Sequence, residues 1–235
     1  MLMTIWQALI LGIIQGATEF LPVSSSGHLV LFNNIFGISG NTIAFSVFLH
    51  LATLFAVFII LRKQIWWLIK HPFSPLAKKL YLSTAITVVI ALIFENFFKS
   101  MFSGAYLSLF FMITAVLLVT TELVASKRPY HAFTYKTAIV VGLVQGIAVI
   151  PGISRSGSTI CAGVLEGANR EECAEFSFIL SIPIIIGSML FEIFDCIKLG
   201  VPFFDASAPE ILIAFVAAFL VGLLCVKVML SVVKK

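Results

Sequence analysis

Two short stretches of this 235-residue chain place groups able to do chemistry on a polar ligand in the middle of apolar sequence. Gly12–His28, GIIQGATEFLPVSSSGH, carries Glu19, Ser24, Ser25, Ser26, Gly27 and His28. Gly142–Ser158, GLVQGIAVIPGISRSGS, carries Ser154, Arg155 and Ser156, with Thr159 next in line. Aligned on Gln15 and Gln145, the two run thirteen residues without a gap at an offset of 130. Gly16 then meets Gly146, Ser24 meets Ser154, Ser25 meets Arg155, Ser26 meets Ser156 and Gly27 meets Gly157. The pattern reads as two halves of one phosphate-handling site, so the Ser25 and Arg155 side chains are expected to approach one shared cavity.

The residue types set the chemistry. Glu19 and Arg155 are ionisable groups deep within apolar segments, where charge is costly and function is the default reading. The bland alternative is that Arg155 pairs with Glu19 or nearby carbonyls as helix glue. One of the three serines can be an N-cap, accepting from an amide two or three residues on. Three serines followed by Gly27 at a helix start also make an anion site. His28 lies about one turn from Ser25 and can reach into the same pocket, although a lone membrane histidine also serves as a packed hydrogen bonder. His50 sits within an apolar span, where it can line the same cavity, but a packing role is the preferred one. His71 and His131 are read as loop residues without a role.

Arg155 presents a planar fork suited to phosphate oxygens. Ser154, Ser156 and Thr159 add hydroxyl donors, and the helix starting near Ser156 adds its dipole. In phosphoryl transfer the protein mainly aligns the groups and neutralises charge, while a nucleophile or base starts the displacement. Ser25 and His28 are both candidates for that part, and the sequence leaves the choice open. Glu19 can orient His28, act as a base, or hold a divalent cation through oxygen ligands.

The elements that must position these groups are written for lipid. The chain is 60% hydrophobic and 11% charged, with a mean hydropathy of +1.12, against roughly a quarter charged in soluble domains. A spanning helix takes about 20 mostly apolar residues, so the chain reads as one membrane domain, 1–235, with repeat halves near 1–130 and 131–235. Two short polar helices, Thr4–Leu21 and Ser25–Phe36, form an expected re-entrant pair whose turn at Pro22–Ser26 must face a site, because irregular backbone at membrane depth is tolerated only there. Spans follow at Asn41–Leu61, Leu80–Phe98 and Ala105–Ser126, then a second short pair at Thr134–Ile150 and Ser156–Gly167. Glu171–Cys196, with Pro183 expected to kink it, and Pro209–Val233 complete nine segments. Three crossings between the pairs invert the second relative to the first, the inverted-repeat architecture that places sites near the midplane.

Charge placement gives the orientation. Arg62, Lys63, Lys70, Lys78, Lys79, Lys127, Arg128, Lys136, Arg170, Lys234 and Lys235 fall on one face, with Lys99 and Lys198 on the other. By the positive-inside rule the first face is cytoplasmic and the first pair opens outward. The net charge of +4 comes without a basic, aromatic-interleaved surface, which argues against nucleic acid. Cys161, Cys173, Cys196 and Cys225 fit neither a disulfide framework nor a zinc site and read as core residues. The N-terminal apolar run has no basic leader or small-residue cleavage site and is expected to be retained.

GIIQGATEFLPVSSSGH and PGISRSGST, with the later FSFILSIPIIIG, resemble the signature regions of the undecaprenyl-pyrophosphate phosphatases, the bacitracin-resistance lipid phosphatases. That resemblance implies hydrolysis of undecaprenyl diphosphate to undecaprenyl phosphate and inorganic phosphate, which recycles the cell-wall lipid carrier. It implies a multi-pass protein of the bacterial inner membrane with its site open to the outer face. It also implies a catalytic set of Glu19, Ser25, His28 and Arg155. Phosphate binding would fall to Ser24, Ser26, Gly27, Ser154, Ser156 and Thr159, with Mg²⁺ or Ca²⁺ as divalent cation. The family's first acidic position falls on Gln15, whose neutral side chain puts cation ligation there in doubt, and leaves Glu19 as the charged candidate. The expected fold is all-α and polytopic, with about five full spans, one terminal helix fewer than the family pattern. The partners implied are a polyprenyl diphosphate and the bilayer, and a homo-oligomer stays open. A lipid-phosphate flippase would need the same inverted repeats and anion site; a nucleophile and base beside the phosphate favour the enzyme. A scaffold protein would require none of these polar residues.

Overall fold

The computed structural model describes residues 3–38, 40–125 and 130–233. Ser126, Lys127, Arg128, Lys234 and Lys235 lie outside them, so the end of one expected span and four of the basic residues used for orientation do too.

The chain folds into α1 (Ile5–Thr18), α2 (Ser25–Phe36), α3 (Thr42–Ile60), α4 (Arg62–Lys70), α5 (Pro75–Ile93), α6 (Glu95–Met101), α7 (Leu107–Ala125), α8 (Tyr135–Ile147), α9 (Arg155–Glu166), α10 (Arg170–Leu199) and α11 (Ala208–Val233). Start signals are explicit. Thr4 and Gln7 form a capping box before α1, and Thr134 and Thr137 form another before α8, each meeting amides that a helix start leaves unpaired. Ser24 and Ser154 cap α2 and α9, and left-handed Gly37 and Gly167 close them.

Five helices, α3, α5, α7, α10 and α11, are long and apolar enough to cross a membrane. Their outward faces expose Val88, Val89 and Leu92 on α5, Met112, Val116 and Val119 on α7, and Leu212, Leu220 and Leu224 on α11. Apolar bands of that extent need lipid as solvent. The fold is therefore an all-α polytopic membrane protein.

Two helices depart from the expected nine segments. The basic stretch between the spans expected at Asn41–Leu61 and Leu80–Phe98 contains α4, RKQIWWLIK, none of whose residues is buried. Its apolar run is too short to cross, and its Lys70 ammonium lies 5.3 Å from the Trp66 ring centroid. The span expected to begin at Leu80 begins at Pro75, because Ser74 caps it and Pro75 fits the first turn. It ends at Ile93, and Glu95–Met101 forms a separate turn, α6. Pro183 lies inside α10, which continues through it.

Packing joins the two ends of the chain. α1 lies along α11, α8 lies along α5, and α3 packs on α10. Both contacts made by the short helices rest on a GxxxG pair, the spacing that lets helix backbones approach closely where lipid supplies no hydrophobic drive. A methyl group on Gly12 would stand 2.3 Å from the Ala214 carbonyl oxygen, and one on Gly16 2.6 Å from that of Ala218. Gly142 and Gly146 meet Ser83 and Ile90 in the same way. Gly187, in contrast, has open space around it in α10. Gly12→Ala is therefore expected to destabilise by about 1–3 kcal/mol through overpacking. Gly187→Ala should stabilise by up to about 1 kcal/mol through helix propensity. Thermal unfolding of the two purified variants in detergent checks the opposite signs.

Candidate active site

The turn after α1 and the turn before α9 lie against each other, and side chains from each complete the other. Ser24 Oγ accepts from the Gly27 amide at 3.3 Å and from the Gly152 amide at 3.0 Å, so one hydroxyl caps α2 and ties it to the opposite turn. Ser24 holds a φ of 64°, a left-handed value that side chains rarely adopt and that local bonding must sustain. Ser156 Oγ donates to the Glu19 and Leu21 carbonyls at 3.2 and 3.3 Å. A methyl on Gly27 would stand 2.7 Å from the Gly152 amide nitrogen, which explains why glycine occupies this crossing. Phe20, fully buried, meets Phe178 of α10 edge-on with ring centroids 5.4 Å apart.

Glu19 caps the C-terminal end of α1 and is 4% exposed. Its Oε1 accepts from Arg155 Nη2 at 2.5 Å. Its Oε2 accepts from Ser25 Oγ at 2.5 Å and from Gln15 Nε2 at 3.1 Å. His50 Nε2, from α3, stands 3.2 Å from the same Oε2 and 3.4 Å from Ser25 Oγ. A cation and several donors converging on one carboxylate is the setting of its ionised form, and in a low-dielectric interior such pairing is what makes a buried charge tolerable. Arg155 also donates through Nη1 to the Ser177 carbonyl at 3.4 Å.

Glu19, Ser24, Ser25, Ser26, His50, Ser154 and Arg155 line one cavity of about 150 Å³, flanked by apolar side chains of α3 and α10. At about 30 Å³ per water molecule, that is room for several waters or a small anionic headgroup. Ser25 and Arg155, aligned with each other in the two stretches, share this space.

The other expected site residues fall differently. Ser26 Oγ is 3.4 Å from Ser24 Oγ at the cavity wall. Ser154 accepts from the Gly157 amide, and Thr159 donates back to the Arg155 and Ser156 carbonyls and meets Ser177 Oγ at 2.7 Å. Ser154 and Ser156 thus hold the turn before α9 together, and Thr159 ties α9 to α10, while Ser26 and Ser154 also line the cavity. His28 turns its Nδ1 to the Ser24 carbonyl at 2.8 Å and sets its ring against Phe111, centroids 5.1 Å apart. Its hydrogen bonding does not include Glu19, Ser25 or Arg155. His50, assigned to packing from the sequence, takes the place expected of His28. The sequence did carry a signal for it: Ser46, His50 and Thr53 form a polar stripe at helical spacing in an apolar helix.

A divalent cation needs several free oxygens. Both Glu19 oxygens are occupied by Arg155, Ser25, Gln15 and His50, and Gln15 offers a single unpartnered buried carbonyl, Oε1. No three His, Cys, Asp or Glu side chains gather for a metal among the described residues. Glu19 and Gln15 by themselves do not compose a resident metal site.

Membrane-length helices surrounding a buried serine, carboxylate and guanidinium define an integral membrane protein with a split polar site. The family model described as Bacitracin resistance protein BacA matches residues 8–235. The chain belongs to that family. It is 41% identical to an undecaprenyl-diphosphatase of Carboxydothermus hydrogenoformans over 235 residues, covering 99% of this chain and 90% of the relative. An undecaprenyl-diphosphatase of Parabacteroides distasonis is 37% identical over 242 residues, covering 99% and 91%. One from Methanococcus maripaludis is 38% identical over 226 residues, covering 93% and 87%.

Proposed function

We propose that this protein hydrolyses undecaprenyl diphosphate to undecaprenyl phosphate and inorganic phosphate. The observation that carries the reading is the Ser25–Glu19 hydrogen bond of 2.5 Å beside the Arg155 guanidinium. It joins a nucleophile, a base and a cation in one membrane-embedded cavity, and the relatives' shared name points the same way. In the reaction Ser25 Oγ attacks the terminal phosphorus as its proton passes to Glu19 Oε2, and the bond to the bridging oxygen breaks. Undecaprenyl phosphate leaves, and water then attacks the phosphoserine; Glu19 returns its proton to Ser25 Oγ as the Oγ–P bond breaks, and the water's protons leave on the inorganic phosphate, so hydroxyl and carboxylate are both restored. Arg155 neutralises the charge that the phosphoryl oxygens carry through the transition state. Mg²⁺ or Ca²⁺ enters this reading as counter-ion of the diphosphate, held by phosphate oxygens.

The positive-inside rule, applied to α4, the start of α5, Lys136 and Arg170 against Lys99 and Lys198, orients the first short pair toward the outer face. The substrate would then be met on the outer leaflet of the bacterial inner membrane, within an inverted repeat. A carrier for the same lipid has no use for a serine hydroxyl bonded to a carboxylate. The purified wild-type protein in detergent is expected to release one phosphate per undecaprenyl diphosphate consumed. Lipid movement across vesicles without phosphate release would replace the phosphatase with a flippase.

A further inference from the structure

Glu19 faces a conflict during the proposed reaction. Its main counter-charge is Arg155, 2.5 Å away, yet Arg155 is also the group that must meet the phosphate. As the guanidinium turns to the phosphoryl oxygens and Ser25 gives up its proton, the buried Glu19 carboxyl, 2% exposed at its side chain, loses two of the donors that hold it in place and keeps that of Gln15. His50 is the other ring or cation within reach, 3.2 Å from Oε2.

We propose that His50 is a positioning residue: its Nε2–H holds the Glu19 carboxylate against Ser25 while Arg155 leaves that carboxylate for the phosphate. The inference rests on the phosphatase reading above. Its geometry is independent of that reading. His50 Nδ1 lies 2.6 Å from the Ser46 carbonyl of the preceding turn, and Nε2 faces the carboxylate. A carboxylate accepts, so the contact at Nε2 is one in which the ring donates. The ring is thereby fixed at both ends, from a helix that does not contribute to either polar turn. Glu19 from the end of α1 and Arg155 from the start of α9 are the charged groups that face it, and Ser25 comes from α2. α10 contributes Ile184, Ile185 and Ser188 to the same cavity, all uncharged.

The test compares His50→Leu, His50→Asn and His50→Gln in detergent with undecaprenyl diphosphate. His50→Leu should lower kcat by about 10²-fold, the order expected when a reacting group is misplaced by an ångström. KM should stay within about 3-fold, since the phosphate still meets Arg155. Thermal stability should hold, because Arg155 remains on Glu19 in the resting site. Gln carries an N–H that can reach Oε2 and should restore kcat to within about 5-fold of wild type, while Asn, one methylene shorter, should stay as slow as Leu. Where the Leu variant does not fold, the Gln and Asn pair decides. Leu and Asn variants within about 3-fold of wild-type kcat, or a Gln variant no faster than Asn, overturn the role. A wild type that releases no phosphate fails the phosphatase reading instead, and is recognised because all four proteins are then equally inert.

Discussion

Arg155→Ala is expected to lose phosphate release by more than about 10³-fold and to lose stability at the same time, an effect that combines two roles. In the resting protein the guanidinium offsets the Glu19 carboxylate across a 2.5 Å contact between side chains that are 15% and 2% exposed. Removing one partner of such a pair leaves the other as an uncompensated charge, typically at a cost of about 3–5 kcal/mol. His50 and Ser25 remain on Glu19 and set the loss toward the lower end. During the reaction the same guanidinium meets the phosphoryl oxygens, where a single lost electrostatic donor is worth about 10²–10³ in rate. The roles separate with two further variants. Arg155→Lys keeps a charge without the planar fork, so stability should largely return while kcat remains depressed. Arg155→Ala combined with Glu19→Gln removes both charges, so the melting temperature should recover without activity. Unfolding curves and phosphate release measured on the same preparations decide the matter, and a stable, active Arg155→Ala would end both assignments.

Ser25→Ala should give the complementary result, a catalytic loss of roughly 10³-fold or more with the fold intact. Ser25 sits in the first turn of α2, but the cap of that helix is Ser24, and Glu19 keeps Arg155, Gln15 and His50 when the Ser25 hydroxyl is gone. The melting temperature should therefore move little, and binding of the diphosphate should persist because Arg155 is untouched. Acid quenching of the wild type during turnover should trap an acid-stable phosphoserine at residue 25. An acid-labile phosphoryl group at His28 would reassign the nucleophile, and Ser25→Ala with near-normal kcat would make water the attacking group.

Much of the site was legible because two motifs at an offset of 130 residues carry complementary groups. α2 and α9 begin and end 130 residues apart, and the glycines at 12 and 142 make equivalent close approaches. Caps and glycine stops placed most boundaries within a few residues, since they act locally. What was missed depends on partners distant in the chain or on short amphipathic runs. α4, RKQIWWLIK, is only 9 residues long, far too short to read as a span, and its basic residues made it read as a loop. The role of His28 was inferred from its spacing to Ser25, yet the ring turns back to the Ser24 carbonyl in its own helix. His50 meets Glu19 only because α3 passes the end of α1, an approach that periodicity does not encode, although the Ser46–His50–Thr53 stripe marked the face.

The seating of α1 on α11 has a consequence for how the protein is made. The glycine seam of the first helix closes against Ala214, Ala218 and Gly222, residues synthesised about two hundred positions later. Until Arg155 emerges, the growing chain carries Glu19 without its guanidinium partner, and until α11 emerges α1 lacks the surface it docks against. Docking of α1 on this seam therefore waits until α11 has been made.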